Sequence, residues 1–249
     1  MKILLSGATG RVGLEIERLA AADPALTVAG RASRDTFFAP GVCGDVLVDF
    51  SRPELTIRSL ELAMDQGLPI VIGTTGLPDD LQARIDQAAK RIALCQAANF
   101  SIGVQVLHDL VARAAASLPA GFDIEIAEIH HRWKVDAPSG TALALGQAAA
   151  RGRATTEHTE TIRGDGARRI GEIGYQVARG GDVIGEHSVQ FLGDGERVEL
   201  THRATDRAIF ARGALHAARW LLGRPPGHYS MIDVLGLAEE NRPQDQRVR

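Results

Sequence analysis

Apolar residues recur along this chain in two rhythms. In the first hundred positions, short apolar runs alternate with stretches spaced for helices. Ile3-Leu4-Leu5, Leu26-Thr27-Val28-Ala29, Val46-Leu47-Val48-Asp49-Phe50, Pro69-Ile70-Val71-Ile72 and Ile92-Ala93-Leu94-Cys95 read as five strands. The third is nearly continuous in apolar residues, as strands buried on both faces are. Between the first two, Val12, Ile16 and Leu19 fall on one helix face, and Asp23-Pro24 ends that helix. Ser51 with Glu54 three residues on reads as a capping box, with Pro53 in the first turn and Gly67 closing the helix. A further helix follows Pro78. This βαβαβ order predicts a Rossmann-type α/β domain, a parallel sheet covered by helices on both faces.

After Asn99 the texture changes. Ile102, Val106, Leu110 and Ala114 share one face of a helix running to about Ser117. Asp123-Ile124-Glu125-Ile126 alternates like a half-buried strand, and a short helical pattern follows Pro138. Segments 173–178, 187–192 and 197–202 read as longer strands, the last two joined by the turn Gly193-Asp194-Gly195. A second α+β domain with a mixed or antiparallel sheet is expected. A final helix near 207–222 and the segment 231–237 are expected to return to the first domain. The division anticipated is 1–101 with 212–249 for dinucleotide binding, and 102–211 for substrate binding and tetramerisation.

The 249 residues are 45% hydrophobic, enough for one large core or two small ones. The net charge of −3 comes without blocks of one sign, which argues against nucleic-acid or membrane-surface binding. No apolar run is long enough to span a bilayer, and the opening residues read as a strand rather than a signal peptide. Cys43 and Cys95 stand apart with no ligand spacing, consistent with reduced thiols and a cytoplasmic location.

The loop Gly7-Ala8-Thr9-Gly10-Arg11-Val12-Gly13 sits where a strand hands over to a helix. That is the context in which a glycine loop cradles a pyrophosphate: backbone N–H groups approach the phosphates at a helix N-terminus. Its GxxGxxG spacing departs from the usual GxGxxG, so a purely structural turn stays open. The second strand ends in Gly30-Arg31-Ala32-Ser33-Arg34, with no carboxylate before Asp35. Arg31 and Arg34 suit a ribose 2′-phosphate, so NADPH is expected to serve at least as well as NADH. Gly73-Thr74-Thr75-Gly76 and Ala97-Ala98-Asn99-Phe100-Ser101 follow later strands on the ligand-binding edge and can line the ribose and nicotinamide.

The densest chemistry runs from Glu128 to Thr141. His130, His131, Arg132 and Lys134 fall within five residues and suit an anionic substrate. Ser139-Gly140-Thr141 opens a helix and reads as an anion cup of hydroxyls and free amides. Neighbouring strand residues face opposite ways, so His130 and His131 are expected to divide into a proton donor and a carboxylate or structural contact. Adjacent histidines are poor co-ligands and no third ligand is placed by spacing, so no metal is expected. His108, His158, His202, His216 and His228 read as surface or structural histidines. His187 differs only by its company, Gly185-Glu186-His187. Another imine or carbonyl reductase, and a non-catalytic NADP sensor, remain rival readings of these residues.

These stretches, together with Asp49-Phe50-Ser51, Ala98-Asn99-Phe100-Ser101-Ile102-Gly103, Arg179-Gly180-Gly181-Asp182-Val183-Ile184-Gly185-Glu186-His187 and Ala208-Ile209-Phe210-Ala211-x-Gly213-Ala214, resemble the 4-hydroxy-tetrahydrodipicolinate (dihydrodipicolinate) reductases in order and over nearly the whole chain. The resemblance implies reduction of (2S,4S)-4-hydroxy-2,3,4,5-tetrahydrodipicolinate to (S)-2,3,4,5-tetrahydrodipicolinate, with loss of water and NADPH or NADH as reductant, in lysine biosynthesis via diaminopimelate. It implies His130 as the general acid/base and Lys134 as a second proton donor. It implies His131, Ser139, Gly140 and Thr141 around the carboxylates of a small dicarboxylate substrate. Gly7, Ala8, Thr9, Gly10, Arg11, Val12, Gly73, Thr74, Thr75, Ala97, Ala98, Asn99 and Phe100 correspond to dinucleotide contacts. A homotetramer is the assembly it implies. Many members carry an acid where Gly30-Arg31 stands here, which again points toward NADPH.

Overall fold

The computed structural model describes residues 1–154, 160–164 and 166–237. The chain begins with β1 (Lys2–Ser6), α1 (Arg11–Ala22), β2 (Thr27–Ala32), β3 (Val46–Asp49), α2 (Pro53–Gln66), β4 (Ile70–Ile72), α3 (Asp79–Ala88) and β5 (Ala93–Gln96). It continues through α4 (Ile102–Ser117), β6 (Asp123–His130), α5 (Gly140–Gly152), β7 (Glu160–Ile162), β8 (Ile173–Arg179), β9 (Gly185–Gly193) and β10 (Glu196–Ala204). It ends with α6 (Ala208–Leu221), β11 (Gly227–Tyr229) and α7 (Met231–Val234). Two compact units result: Met1–Ile102 with the chain from Arg207 onward, and Gly103–Asp206. No described helix is long and apolar enough to cross a membrane.

The first unit holds a six-stranded parallel sheet in the order β11-β5-β4-β3-β1-β2. Both faces are covered, so the residues of β1, β3 and β4 are buried in succession rather than alternately. One face carries a core of Ile3, Leu5, Val46, Val48 and Val71 under Ile16 of α1 and the alanine-rich side of α6. The other packs Leu4, Leu47, Ile70 and Ile72 against Leu60 of α2 and Leu81 and Ile85 of α3. Each fully buried Leu or Ile contributes roughly 1.5–3 kcal/mol. All of α6 belongs to this unit because Ala211, Ala214, Ala217, Ala218 and Leu221 are buried in its core. The strand order reverses between β3 and β1, so the loops leaving these two strands flank the crevice in which such sheets take ligands.

Two local expectations give way. Ser51 does not cap α2: the N-cap is Arg52, without a side-chain bond, because the Ser51 hydroxyl turns back to the buried Asp49 carboxylate at 2.5 Å. Pro53 and the left-handed Gly67 bound that helix as expected. On α4 the face carrying Ile102, Val106 and Leu110 is the exposed one, and Val104, Leu107, Val111 and Ala115 make the core contact.

The second unit is a mixed five-stranded sheet, β10-β9-β6-β8-β7. β6 runs parallel to β8 and antiparallel to β9, and β10 returns on β9 through the two residues Asp194-Gly195. Ile124 and Ile126 of β6, Tyr175 of β8 and Val189 and Phe191 of β9 share one face, buried against Leu107 and Val111 of α4 and Ala142, Leu145 and Ala149 of α5.

Candidate functional site

In the first unit the glycine loop is shaped by close approach. Gly7 has φ +85°, and a Cβ there would lie 2.2 Å from the Phe50 carbonyl oxygen. A Cβ on Gly13 would lie 2.2 Å from the Gly7 carbonyl, so α1 packs directly on the loop. Gly7 and Ala8 both donate to the Ala32 carbonyl, which ties the loop to the end of β2. The N-cap of α1 is Gly10 and no side chain caps it. The amides of the first turn, at Arg11, Val12 and Gly13, therefore have no intrahelical acceptor and point their dipoles toward the loop.

A cavity of about 490 Å³ opens beside this loop, lined by Gly7, Thr9, Gly10, Phe50 and Ser51 and by the side chains of Arg34, Arg52 and Arg58. Glu54 is the one carboxylate in the lining. A helix N-terminus and three guanidiniums fit a polyanionic dinucleotide. Arg31 stands elsewhere: its guanidinium grips Glu17 of α1, with Nε and Nη2 at 2.6 and 2.7 Å from the two carboxylate oxygens. Arg52 and Arg58 were not anticipated. Their only sequence signal is their place in the first turns after β3; Arg58 also lies over the Phe37 ring at 4.0 Å.

Beneath the cavity floor lies a polar node. Asp49 is fully buried and accepts from Ser51 Oγ and Thr56 Oγ1, both at 2.5 Å, and from Thr74 Oγ1 at 2.9 Å. Burial pushes its carboxyl up, and the hydroxyl donors pull it back. The Thr74 hydroxyl also accepts from the Ser51 amide at 2.9 Å. Its polar atom is thus committed to shaping the loop, and Thr75 is the exposed member of the pair. Gly73 presses on the Phe50 ring, where a Cβ would lie at 2.2 Å. Phe100 is buried and meets Phe50 edge-on at 5.3 Å, with Asn99 Oδ1 accepting from the Ser101 amide. Thr9, Arg11 and Ala98 are exposed, Val12, Ala97 and Asn99 half-buried, and Ala8 buried.

The second unit concentrates its polar groups at one end of its inner sheet face. Along β6 the inward residues are Ile124, Ile126, Glu128 and His130, so an apolar column becomes polar at its last two rungs. Register sets the neighbours. Glu128 lies opposite His187 of β9, and His130 lies opposite Arg179 of β8. The Glu128 side chain has no exposure. Its Oε1 accepts from the Ser139 amide at 2.9 Å and from Arg179 Nη2 at 3.0 Å. Its Oε2 lies 3.0 Å from His130 Nδ1 and 3.8 Å from His187 Nε2. Burial alone would raise the Glu128 carboxyl, but His130, Ser139 and Arg179 outweigh it and hold it at about 2. Burial drives His187 down to about 4, so this ring is neutral at pH 7.

β6 ends at His130, and the strand rule that would separate the two histidines ends with it. His131 is half-buried, its ring 6.0 Å from that of Trp133. Lys134 Nζ lies 2.8 Å from both carboxylate oxygens of Asp136, and this bond holds Asp136 below its usual range. Ser139 caps α5: its hydroxyl accepts from the Ala142 amide at 3.2 Å and faces His187 Nε2 at 3.2 Å. With its amide on Glu128, Ser139 is spent on building the turn. Gly140, the first residue of α5, is exposed with open space around its Cα, so the helix N-terminus is approachable there.

His130, His187 and Glu128 bring ligand-type atoms within 4.8 Å of one another, which spacing along the chain could not show. Arg179, on the same carboxylate, already supplies the positive charge that a cation would bring. Glu128, Arg179 and His187 stand in segments the sequence singles out, but it gives them no site role, because only the pairing of β6 with β8 and β9 assembles them.

Comparison with known proteins covers both units. Residues 1–100 match the family profile described as dihydrodipicolinate reductase, N-terminus, and residues 103–235 the profile described as dihydrodipicolinate reductase, C-terminus. A 4-hydroxy-tetrahydrodipicolinate reductase of Xanthomonas campestris pv. campestris is 48% identical, over 94% of this chain and 98% of its own. One of Anaeromyxobacter dehalogenans is 43% identical over 95% and 98%. The solved dipicolinate-bound dihydrodipicolinate reductase of Paenisporosarcina sp. TG-14 shares the fold, with a TM-score of 0.77 over 94% of this chain and 98% of that one at 23% identity.

Proposed function

The chain belongs to the dihydrodipicolinate reductase family, and from that premise we propose how its residues carry the family's reaction: reduction of 4-hydroxy-tetrahydrodipicolinate to tetrahydrodipicolinate with loss of water. It is a dinucleotide-dependent oxidoreductase. The observation that carries the reading is the polar end of the second sheet, where His130 rests on the buried Glu128 beside the α5 N-terminus. When bound, NAD(P)H supplies the hydride.

The first unit holds the nucleotide. The amides at the start of α1 take the pyrophosphate, and Gly7, Thr9 and Gly10 leave room for it. Arg34, with Arg52 and Arg58, receives the 2′-phosphate of NADPH, and no acid stands at the end of β2 to favour NADH. The second unit holds the substrate. Gly140 and Thr141 amides, His131 and Lys134 take its carboxylates, and charge-assisted bonds of this kind offset their desolvation. A planar dicarboxylate bound to the Paenisporosarcina relative supports this class of substrate.

Loss of the ring hydroxyl as water leaves a conjugated imine. Reduction builds negative charge on that conjugated system, and His130 delivers the proton that quenches it, with Lys134 in support. A well-placed proton donor contributes roughly 10²–10⁴-fold. The cytoplasm is the location that fits this chemistry. A homotetramer joined through the sheets of the second units, by the face opposite the one on which α4 and α5 pack, is the assembly we expect. The test of the residue roles is kinetic: His130→Gln and Lys134→Ala should each lower kcat by at least about tenfold, and near-normal turnover in both would remove the assignment.

A further inference from the structure

We propose that Glu128 is a positioning residue that fixes the ring of His130 and the first turn of α5 to one buried carboxylate, so that proton donor and anion cup keep a single alignment. This rests on the reading of His130 as donor and of the α5 N-terminus as carboxylate site.

The geometry assigns a separate task to each oxygen of Glu128. Oε1 holds the Ser139 amide at 2.9 Å, which places the start of α5. Oε2 lies 3.0 Å from Nδ1 of His130. The N–H that faces a carboxylate is the one on Nδ1, so the proton given to substrate is the second one, carried on Nε2 of the cationic ring. Nε2 lies on the Gly185 side of the ring, where a Cβ on Gly185 would come within 3.0 Å of it. A side chain at Gly185 would press on the ring and shift it by a few tenths of an ångström.

The surroundings keep the carboxylate in place. Arg179 binds Oε1 at 3.0 Å and the Asp136 carbonyl oxygen at 2.6 Å. It therefore ties the turn that carries Lys134 to the same group. His187 packs edge-on to His130 with ring centroids 5.0 Å apart, and its Nε2 faces both Ser139 Oγ and Glu128 Oε2. Among the described residues, Glu128 on its own strand, Arg179 opposite it on β8 and His187 on β9 are charged or titratable groups that face His130. The 3.0 Å approach of Oε2 to Nδ1 is a close ionic contact, not an aligned hydrogen bond, and neither atom has another hydrogen-bond partner among the described residues, so each is the other's nearest polar group.

The experiment compares Glu128→Gln with the parent protein by two readouts. The first is the ¹⁵N tautomer pattern of His130 in the protein without substrate. An amide in place of the carboxylate can donate to Nδ1, so the variant should lose the Nδ1 proton and keep a single one on Nε2, a neutral ring that is a far weaker acid. The second is steady-state kinetics. kcat should fall by roughly 10²-fold, as for a misaligned general acid, while the substrate KM moves less than about threefold, because the Gln oxygen still accepts from Ser139. Glu128→Ala, which also frees the Ser139 amide, should raise KM as well. If Glu128→Gln does not fold, Glu128→Asp keeps the charge but shortens the reach to Nδ1, so kcat should fall while the substrate KM changes little, and a parent-like kcat would overturn the role. A parent-like ¹⁵N pattern and kcat in the variant, with His130→Gln strongly impaired, overturn the role of Glu128 alone. Normal kcat in His130→Gln overturns the donor reading, and the proposal with it.

Discussion

The hydroxyl of Ser139 lies 3.2 Å from Nε2 of His187, so the cap of α5 and the start of β9 meet at a neutral, buried imidazole. That ring sits near 4 against an ordinary 6.5, chiefly through burial and then through the charge of His130. His108 is also driven to about 4, by burial first and then by Arg151. Between these limits the unfolded chain binds protons that the folded chain refuses. Stability from these rings is therefore full above about pH 6.5 and is lost as pH falls toward 4. Each contributes at most about 3 kcal/mol. Glu128 acts in a lower window, below its ordinary 4.5, so it does not mask the effect. Urea unfolding at pH 7 and pH 5 should show a clear loss of midpoint in the parent and a smaller one in His187→Gln; equal losses would contradict the account.

Nucleotide choice should separate the two arginines after β2. Arg34 lines the cavity, while Arg31 is held by both oxygens of Glu17. Arg34→Ala should raise the KM for NADPH about tenfold or more and leave that for NADH within about threefold, the cost of one charge-assisted bond. Arg31→Ala should change both little. The two KM ratios measured side by side check this, and a larger effect at Arg31 would reverse the assignment.

Asp49 should behave as a keystone of the first unit. Replacing it by Ala removes the acceptor shared by the hydroxyls of Ser51, Thr56 and Thr74, of which Thr56 and Thr74 are buried. The expected loss is on the order of 3 kcal/mol, read as a lowered denaturant midpoint. A variant as stable as the parent would show that these bonds are dispensable.

The contrast between the two units explains what the sequence could tell. Strands β1, β3, β4 and β5 of the first sheet and the glycine loop were legible because each depends on residues close in the chain: an apolar run, a helical spacing, a turn glycine. The failed capping box at Ser51 shows the limit of such local logic, since a buried acid two residues earlier competes for the same hydroxyl. Strand β11 is only three residues long and stands on β5 more than a hundred positions away, so no pattern announced it. His130, Lys134 and the α5 turn were legible because they crowd one segment. Glu128 stood in that segment without a visible partner. His187 and Arg179 reach it only through the register of β6, and that register is a long-range property of the sheet.

The reaction itself can be assayed directly. Purified protein should be mixed with NADPH, pyruvate, aspartate semialdehyde and a synthase that joins the last two into the hydroxylated ring. NADPH should be oxidised only when both carbonyl compounds, the synthase and this chain are present, and the rate should drop at least about tenfold with His130→Gln. NADPH left unoxidised in the complete mixture would contradict it.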